Sequence, residues 1–293
     1  MQKNFESAVI IGGGTMGSGI AQIFLESGLE IVLVEMDERR AQSAYDQVKA
    51  GVTSRLIYEN NRQQSPEVQK AAGEILSRLT TRVGIPSPNG PWRPDIVVET
   101  VYEDADVKSR VLKEVESTYP DCSLLATNTS SLSIDLLASR LARPQNFIGM
   151  HFFNPVPRSS LIELVAGRET SDESVESAQA LVEVLGKESI LVHDSPGFAT
   201  SRLGIILGIE AIRMVEEGVA SAEDIDRGMV LGYKHPIGPL KLTDLVGLDI
   251  RLAISEYLES KLGPRFAPPE LLKEMVARGD LGKKSGKGFY EWK

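Results

Sequence analysis

The chain has very little of three residue types that often form crosslinks or active sites. It contains one cysteine, Cys122, only three histidines, and 6% aromatic residues. A single cysteine excludes disulfides within the chain and any cysteine-rich metal site, so we expect Cys122 to be an inert buried thiol. The remaining potential ligands form no cluster with metal-site spacing, so we expect no metal cofactor.

Long apolar runs and an excess of positive charge are missing as well. No stretch approaches the roughly 18 apolar residues of a transmembrane helix, so we expect no membrane span. The net charge is −9, which argues against sequence-independent nucleic-acid binding because such binding needs basic patches. A strand pattern begins at Ala8, so we expect no signal peptide, and the cytoplasm is the simplest location.

The composition that remains is that of an ordinary globular protein. The chain has 293 residues, of which 42% are hydrophobic and 25% charged, enough for one large domain or two ordinary ones. Residues 8–11 read as a short buried strand, and a helix pattern covers 16–27. A second strand, 31–34, ends in Glu35. A strand–helix–strand unit of this kind pairs its strands in parallel.

A glycine-rich turn lies between the first strand and the first helix. Gly12, Gly14 and Gly17 match the GxGxxG spacing of dinucleotide-binding turns, and Glu35 follows Gly17 by 18 positions. In such a turn the first glycine allows the tight bend, the second lets the backbone approach a pyrophosphate, and the third lets the helix pack on the strand. The alternative is a purely structural glycine turn. We expect the cofactor contacts of this segment to be Gly12, Gly14, Thr15, Met16 and Gly17.

The identity of the cofactor depends on the residue that ends the second strand. Glu35 would accept hydrogen bonds from the adenosine ribose hydroxyls and would repel a 2′-phosphate, which favours NAD over NADP. Arg39 and Arg40 are near enough in sequence to keep NADP open.

The rest of the N-terminal part continues to alternate between strand and helix. We predict helices at 38–59, 65–78, 105–118, 133–141 and 172–185, and strands at 95–99, 123–127, 147–150, 161–165 and 189–192. This pattern predicts an α/β, Rossmann-type doubly wound sheet whose ligand lies at the carboxyl ends of the strands.

The last third of the chain lacks strand patterns. Ser195 and Pro196 suit the start of a long helix, and further helices fit 222–231, 240–262 and 270–278. We therefore predict two domains, a dinucleotide-binding domain at 1–193 and an all-helical domain at 194–293. The first of these helices has a wide apolar face, and we expect a homodimer built on it. The apolar residues are Leu203, Ile205, Ile206, Leu207, Ile209, Ile212, Met214 and Val215.

A histidine and a carboxylate stand out in the predicted sheet. His151 follows the strand pattern 147–150, and Glu163 lies inside the apolar run 161–165. Strand alternation places Glu163 on the same face as Leu161 and Val165, where an unpaired carboxylate would cost several kcal/mol. A histidine is a suitable partner, and a carboxylate that orients an imidazole makes a general base near neutral pH.

Several motifs occur together in one order over nearly the whole chain. They are GGGTMG at 12–17, DIVVE at 95–99 with Glu103 and Lys108, NTSSL at 128–132, HFFNPVP at 151–157, DSPGF at 194–198, and GKKSGKGFY at 282–290. In this combination the chain resembles the 3-hydroxyacyl-CoA dehydrogenase family, particularly its short-chain, 3-hydroxybutyryl-CoA-type bacterial members. The resemblance implies NAD-dependent oxidation of a (3S)-3-hydroxyacyl-CoA to the 3-oxoacyl-CoA, and the reverse reduction, in fatty-acid or related acyl-CoA metabolism.

The resemblance also implies roles for individual residues. His151 matches the general base and Glu163 its carboxylate partner. Ser130 matches a serine that binds the substrate hydroxyl near the nicotinamide, and Asn154 matches a residue at the junction of cofactor and substrate. Three further positions match cofactor contacts, namely Glu103, Lys108 and, in the C-terminal tail, Lys284.

Two positions depart from the family pattern. Ser201 stands where many relatives have an asparagine that lines the substrate pocket, and Asp104 adds a charge near the cofactor. Ser201 therefore bears on which acyl chain is accepted, and the sequence leaves a carboxylate-terminated acyl group open. Lys49 and Arg55 are candidates for binding coenzyme A, although most charges on such a helix are simply solvated.

Two other functions remain open. One is a related dehydrogenase of a free hydroxy acid, of the gulonate or carnitine type. The other is a nonenzymatic NAD(H)-binding or structural protein. The C-terminal tail and the context of Ser201 favour the acyl-CoA enzyme, and the set formed by His151, Glu163 and Ser130 argues against a nonenzymatic protein.

Overall fold

The computed structural model describes residues 5–87 and 93–292. The chain divides into two compact units, of which the first ends at Asp194 and the second begins at Ser195. Within the described residues, no helix is both long and apolar enough to cross a membrane.

The first unit is built on one eight-stranded sheet. Its strands are β1 (Ser7–Ile11), β2 (Glu30–Glu35), β3 (Leu79–Val83), β4 (Ile96–Glu99), β5 (Leu124–Thr127), β6 (Phe147–Phe152), β7 (Leu161–Ala166) and β8 (Glu188–His193). The spatial order is β3-β2-β1-β4-β5-β6-β7-β8, so the strand order reverses between β1 and β4. Strands β1 to β6 are parallel, β7 is antiparallel to β6, and β8 is parallel to β7. The predicted doubly wound α/β fold is confirmed.

Helices connect these strands and cover both faces of the sheet. They are α1 (Thr15–Glu26), α2 (Glu38–Glu59), α3 (Pro66–Leu76), α4 (Ala105–Thr118), α5 (Ile134–Ala138) and α6 (Asp172–Val184). Alternate strand residues such as Ile10, Leu33 and Val98 pack with α1, α2, α3 and α6 in one apolar core. The opposite face, with Val97 and Leu125, also consists of buried residues.

Two features of the sheet differ from the sequence prediction. Strand β3, which the hydrophobic pattern did not indicate, extends the edge beside β2, and only Leu79 of its five residues is buried. The predicted helix over 65–78 accordingly ends at Leu76. Strand β6 continues through Phe152, so His151 lies within the strand rather than after it.

The second unit is helical, as expected. Its helices are α7 (Thr200–Glu216), α8 (Ala222–Arg227), α9 (Pro239–Val246), α10 (Leu248–Leu262) and α11 (Glu270–Ala277), with a π-helical turn at Gly228–Gly232. No strand longer than an isolated bridge occurs among its described residues.

Two of the helix predictions for this unit were wrong. The predicted cap Ser195 does not begin a helix, because Gly197 and Phe198 have positive φ angles of 74° and 49° and form a turn. Helix α7 therefore starts at Thr200. The predicted helix 240–262 is two helices, because Gly247 has a φ of 106° and separates α9 from α10.

The apolar face of α7 is used largely inside its own unit. Ile205 and Ile209 pack with Leu258 and Phe266, and Ile212 belongs to a second cluster. Leu203 remains 67% exposed.

Candidate active site

The glycine turn lies at the carboxyl end of β1, beside the point where the strand order reverses. The Gly12 amide donates to the Val34 carbonyl at 2.9 Å, and Gly12 has a φ of 98°. A Cβ on Gly17 would stand 1.8 Å from the Gly12 carbonyl oxygen, so helix α1 packs against the turn only because this residue is glycine. A Cβ on Gly14 would meet nothing within 4 Å, so the backbone there is open to a ligand.

Gly13 is a further glycine that the motif analysis did not single out. A Cβ at this position would lie 2.3 Å from the Cβ of Ala44 on α2. This contact joins residues far apart in sequence, so the only sequence signal for it was the position of Gly13 inside the GGGTMG motif.

The carboxylate that ends β2 is aimed at the same turn. Glu35 accepts hydrogen bonds from the Gly13 amide at 2.7 Å and from the Met36 amide at 3.1 Å. The residues predicted to bind the cofactor at Gly12–Gly17 and Glu35 are thus brought together. Thr15 and Met16 follow directly in the first turn of α1, which contains no acidic residue and has Gly14 as its N-cap. A helix N-terminus of this kind attracts phosphate charge.

A buried polar network lies under the carboxyl ends of β4 and β5. Glu99 is 0% and Lys108 1% exposed, and the Lys108 ammonium nitrogen lies 2.8 Å from Glu99 Oε1. Glu99 also accepts hydrogen bonds from the Thr127 hydroxyl at 2.6 Å and from the Val101 amide at 2.6 Å. Burial raises the pKa of Glu99, and the charge of Lys108 offsets only part of this effect. The sequence signal for Glu99 was a carboxylate at the end of an apolar strand, whereas Glu163 lies in the middle of one.

Glu103 connects this network to the loop that follows β5. It accepts hydrogen bonds from the Thr129 hydroxyl at 2.5 Å and the Ser130 amide at 3.0 Å, and its second oxygen lies 3.3 Å from Lys108. Burial would raise the pKa of Glu103, but Lys108 and these hydrogen bonds outweigh it and lower that pKa. Lys108 is predicted to touch the cofactor, yet it lies beneath Glu103, so the geometry favours an indirect role.

The His151–Glu163 pair forms across the antiparallel junction between β6 and β7. The two residues are directly opposite each other in the register of β6 and β7. His151 Nδ1 lies 2.9 Å from Glu163 Oε2, and Glu163 is 0% and His151 8% exposed. The ring of Phe153 lies against the imidazole, with 4.5 Å between the ring centroids. The structure therefore places a wholly buried carboxylate on one nitrogen of a nearly buried imidazole.

The two other predicted residues of this region lie on loops at the same edge of the sheet. Ser130 and Asn154 are exposed, and neither side chain makes a hydrogen bond to another of the described residues. Asn128, which the motif contained but to which we gave no role, accepts a hydrogen bond from the Phe152 amide at 2.9 Å through its side chain. Asn128 thus joins the loop that carries Ser130 to the end of the strand that carries His151.

Two predicted residues belong to the helical unit. Ser201 is half-buried in the first turn of α7. The Lys284 ammonium nitrogen lies 2.6 Å from Asp249 Oδ2, so its charge is balanced within that unit. Its contact with the cofactor stays a prediction.

Comparisons with known proteins agree with this geometry. The family model described as "3-hydroxyacyl-CoA dehydrogenase, NAD binding domain" matches residues 7–195. The model described as "3-hydroxyacyl-CoA dehydrogenase, C-terminal domain" matches residues 197–292.

Individual relatives match over almost the full length. The chain is 38% identical over 285 residues to a probable 3-hydroxybutyryl-CoA dehydrogenase of Bacillus subtilis, covering 97% of this chain and 96% of that one. It is 38% identical over 284 residues to a 3-hydroxybutyryl-CoA dehydrogenase of Clostridioides difficile, with 97% and 98% covered. A crystal structure of (S)-3-hydroxybutyryl-CoA dehydrogenase from Ralstonia eutropha superposes with a TM-score of 0.88 at 39% identity, covering 99% of this chain and 100% of that chain. This chain therefore belongs to the 3-hydroxyacyl-CoA dehydrogenase family, and its cofactor is NAD.

Proposed function

We propose that the protein catalyses the NAD-dependent oxidation of (3S)-3-hydroxyacyl-CoA to 3-oxoacyl-CoA, and the reverse reduction, with short acyl chains such as 3-hydroxybutyryl-CoA. The observation that carries this proposal is the His151–Glu163 pair, with 2.9 Å between Nδ1 and Oε2, at the same edge of the sheet as the glycine turn.

The residues at the glycine turn fit a bound dinucleotide. Gly14 leaves open the backbone that a pyrophosphate would approach, and Glu35 is held beside the turn by the Gly13 amide. When bound, NAD supplies the group that accepts the substrate hydride. The remaining chemistry belongs to the side chains of the protein, which must bind the substrate oxygen and move one proton.

His151 is the proposed acid–base group. During oxidation its Nε2 takes the proton of the substrate hydroxyl, and Glu163 holds the Nδ1 proton and stabilises the imidazolium that forms. Positioned proton transfer of this kind accelerates a reaction about 10²- to 10⁴-fold. The exposed hydroxyl of Ser130 and the side chain of Asn154 would bind the substrate oxygen and the adjoining cofactor. Glu103 holds the Ser130 loop in place through the Ser130 amide.

A groove next to the catalytic strand is our candidate for the coenzyme A part of the substrate. It has a volume of about 750 Å³ and lies between α1, α2 and the loop after β6, with Tyr58, Pro155 and Arg158 in its wall. Arg55 also lines it, but Glu26 and Glu59 already lie 2.8 Å and 2.7 Å from its guanidinium nitrogens. The exposed Arg158 is therefore the better candidate for a phosphate contact. An Arg158→Glu variant should have a raised KM for acetoacetyl-CoA. Its KM for the N-acetylcysteamine thioester, which lacks the nucleotide, should be unchanged. Equal changes in both KM values would refute the placement of coenzyme A in this groove.

The direct test of the function is acetoacetyl-CoA-dependent oxidation of NADH. The wild-type protein should show it, and a His151→Gln variant should bind NADH yet lose about 10²-fold or more in kcat. Near-normal turnover by that variant would refute the role of His151. Turnover of free gulonate or carnitine, with none of the thioester, would establish the alternative dehydrogenase. No turnover with any substrate, together with tight NADH binding, would favour a nonenzymatic protein.

We also propose a homodimer built on the helical unit. The support for it is Leu203, an apolar residue of α7 that stays 67% exposed although Ile205, Ile209 and Ile212 are buried. Light scattering after size exclusion should give twice the mass of one chain, and Leu203→Glu should yield monomers. Leu231→Glu, at a similarly exposed leucine (61%) in the π-helical turn, is the matched control. A monomeric wild-type protein would overturn this proposal.

A further inference from the structure

The buried network at the end of β4 contains one carboxylate more than its lysine needs. The Lys108 ammonium nitrogen lies 2.8 Å from Glu99 Oε1 and 3.3 Å from Glu103 Oε2, so two carboxyl groups share one positive charge. Burying a carboxylate is expensive, and Glu103 alone would balance the charge of Lys108. Balancing the lysine therefore does not explain why Glu99 is present and wholly buried.

The hydrogen bonds of Glu99 favour its ionised form. Its two oxygens accept from the Lys108 ammonium, the Val101 amide and the Thr127 hydroxyl at 2.8, 2.6 and 2.6 Å. Burial raises the pKa of Glu99, and all three contacts act against that rise. Burial would also raise the pKa of Glu103, but Lys108 and hydrogen bonds lower it. With both carboxyl groups ionised and one ammonium between them, one negative charge remains unbalanced.

Two carboxylates at the start of α4 leave this excess in place. Asp106, in the first turn of the helix, lies 2.7 Å from Arg140 and is balanced by it. Asp104 caps the helix by accepting hydrogen bonds from the Asp106 and Val107 amides, so its charge adds to that of the network. The carboxyl end of β4 is therefore negatively charged.

This negative charge lies beside the cofactor turn. Glu99 is opposite Ile11 in the register of β1 and β4, and the hydroxyl of the next residue, Thr100, donates to the Gly12 carbonyl at 2.7 Å. Ligands of doubly wound sheets bind where the strand order reverses, here between β1 and β4, and each half of the sheet binds one half of the dinucleotide. Glu35 on β2 is the predicted ribose contact of the adenosine half, so the half that begins at β4 is that of the nicotinamide.

We propose that Glu99 tunes the site toward the oxidised cofactor by leaving one negative charge at the half that binds nicotinamide. The nicotinamide ring is cationic in NAD⁺ and neutral in NADH, so this charge acts differently on the two forms. Glu99 is wholly buried, so it acts through its field and through the charge balance of Lys108 and Glu103 rather than by contact. The inference needs the NAD cofactor of the family but not the acyl substrate proposed above.

The test compares the affinities of the two cofactor forms. The Kd values of NAD⁺ and NADH are measured by calorimetry at pH 8, without any thioester, for the wild type and for Glu99→Gln. Glutamine keeps the size of the side chain, and its oxygen can still accept from Lys108 and Val101. We expect the ratio of the NAD⁺ Kd to the NADH Kd to rise about 3- to 10-fold, the size of a unit-charge interaction across a partly buried site. A tenfold rise corresponds to a potential of the bound couple about 30 mV higher.

Two further variants and one control separate charge from structure. Glu103→Gln makes the same charge change at the partly exposed member of the network and should raise the ratio as well. Glu99→Gln/Lys108→Met removes one charge of each sign, so its ratio should stay within about twofold of the wild-type ratio. Glu114→Gln removes an exposed carboxylate from the same helix as Lys108 and should leave the ratio unchanged.

Three results would overturn the inference. An unchanged ratio in Glu99→Gln, with both Kd values raised equally, would show that Glu99 only supports the fold. A lower ratio would show that the charge acts in the opposite sense. A double variant that keeps the raised ratio would show that the balance with Lys108 is not the cause. If Glu99→Gln does not fold, the ratio in Glu103→Gln decides by the same criteria.

Discussion

Glu163→Gln isolates the charge of the carboxylate from its shape. The amide has nearly the same size, and its oxygen can still accept the hydrogen bond from His151 Nδ1, so the imidazole keeps its orientation. What disappears is the attraction between the carboxylate and the imidazolium that forms as the substrate loses its proton. The contact distance of 2.9 Å places the two charge centres about 4 Å apart, which at an effective dielectric constant of about 20 corresponds to about 4 kcal/mol.

This energy sets the expected size of the effect. If most of the charge has developed in the transition state, kcat for the oxidation of 3-hydroxybutyryl-CoA should fall about 10²- to 10³-fold. The Kd for NADH should change by less than about threefold, because the Glu163 side chain is wholly buried beside the imidazole. Thermal unfolding should occur at the same or a higher temperature, since the variant buries a neutral amide in place of a charge.

The control and the refuting results follow from the same geometry. Glu188→Gln makes the same chemical change at an exposed position at the start of β8, the strand next to β7, and should leave kcat unaltered. A Glu163→Gln protein that folds and keeps kcat within about threefold of the wild type would show that the carboxylate is not used electrostatically. A loss of NADH binding as large as the loss of kcat would show instead that the substitution had distorted the sheet.

Three further predictions concern the same unit. Gly17→Ala should lower the free energy of unfolding by more than about 3 kcal/mol, because its Cβ would meet the Gly12 carbonyl at 1.8 Å. Gly14→Ala should keep the wild-type melting temperature but bind NADH about tenfold more weakly. Equal melting temperatures of the two variants would contradict the predicted difference between these glycines. Glu35→Ala should raise the ratio of kcat/KM for NADPH to that for NADH about tenfold, and an unchanged ratio would remove Glu35 from cofactor selection. Burial raises the pKa of the Cys122 thiol from 9.0 to about 11, so the stability that the buried neutral thiol contributes is fully present below pH 9 and is lost as the pH rises through about 11. In urea denaturation, the free energy of unfolding of the wild type should fall by up to about 3 kcal/mol between pH 9 and pH 11, and that of Cys122→Ala should not. An equal fall in both proteins would show that the Cys122 thiol is not the cause.

The sequence was most informative where a charged residue stands in an otherwise apolar segment. Glu163 in an apolar strand predicted a buried partner, and His151 is that partner. The glycine turn was recognisable because it lies between a strand and a helix and is followed by Glu35, all within a short segment. Both signals are local, so they are recognisable in this one sequence.

The features that escaped prediction depend on contacts between distant segments or on backbone angles. Strand β3 carries the polar residues Thr80, Thr81 and Arg82 at the edge of the sheet, so it has no hydrophobic pattern and pairs only because β2 offers a free edge. The break at Gly247 follows from a positive φ, which no periodicity reveals. The sequence does not distinguish Arg251 from the exposed charged residues, because its burial depends on how α10 packs against α7.

The antiparallel junction between β6 and β7 makes the acid–base pair a local structure. His151 and Glu163 are 12 residues apart, whereas the hydrogen bond from Thr100 to the glycine turn joins residues 88 apart. Closing a short loop costs less chain entropy than closing a long one, so the hairpin that holds the pair can form independently of the segment that completes the cofactor site. Insertions or deletions in α2 and α3 fall within the long segment, so they leave the 12-residue spacing of the acid–base pair unchanged.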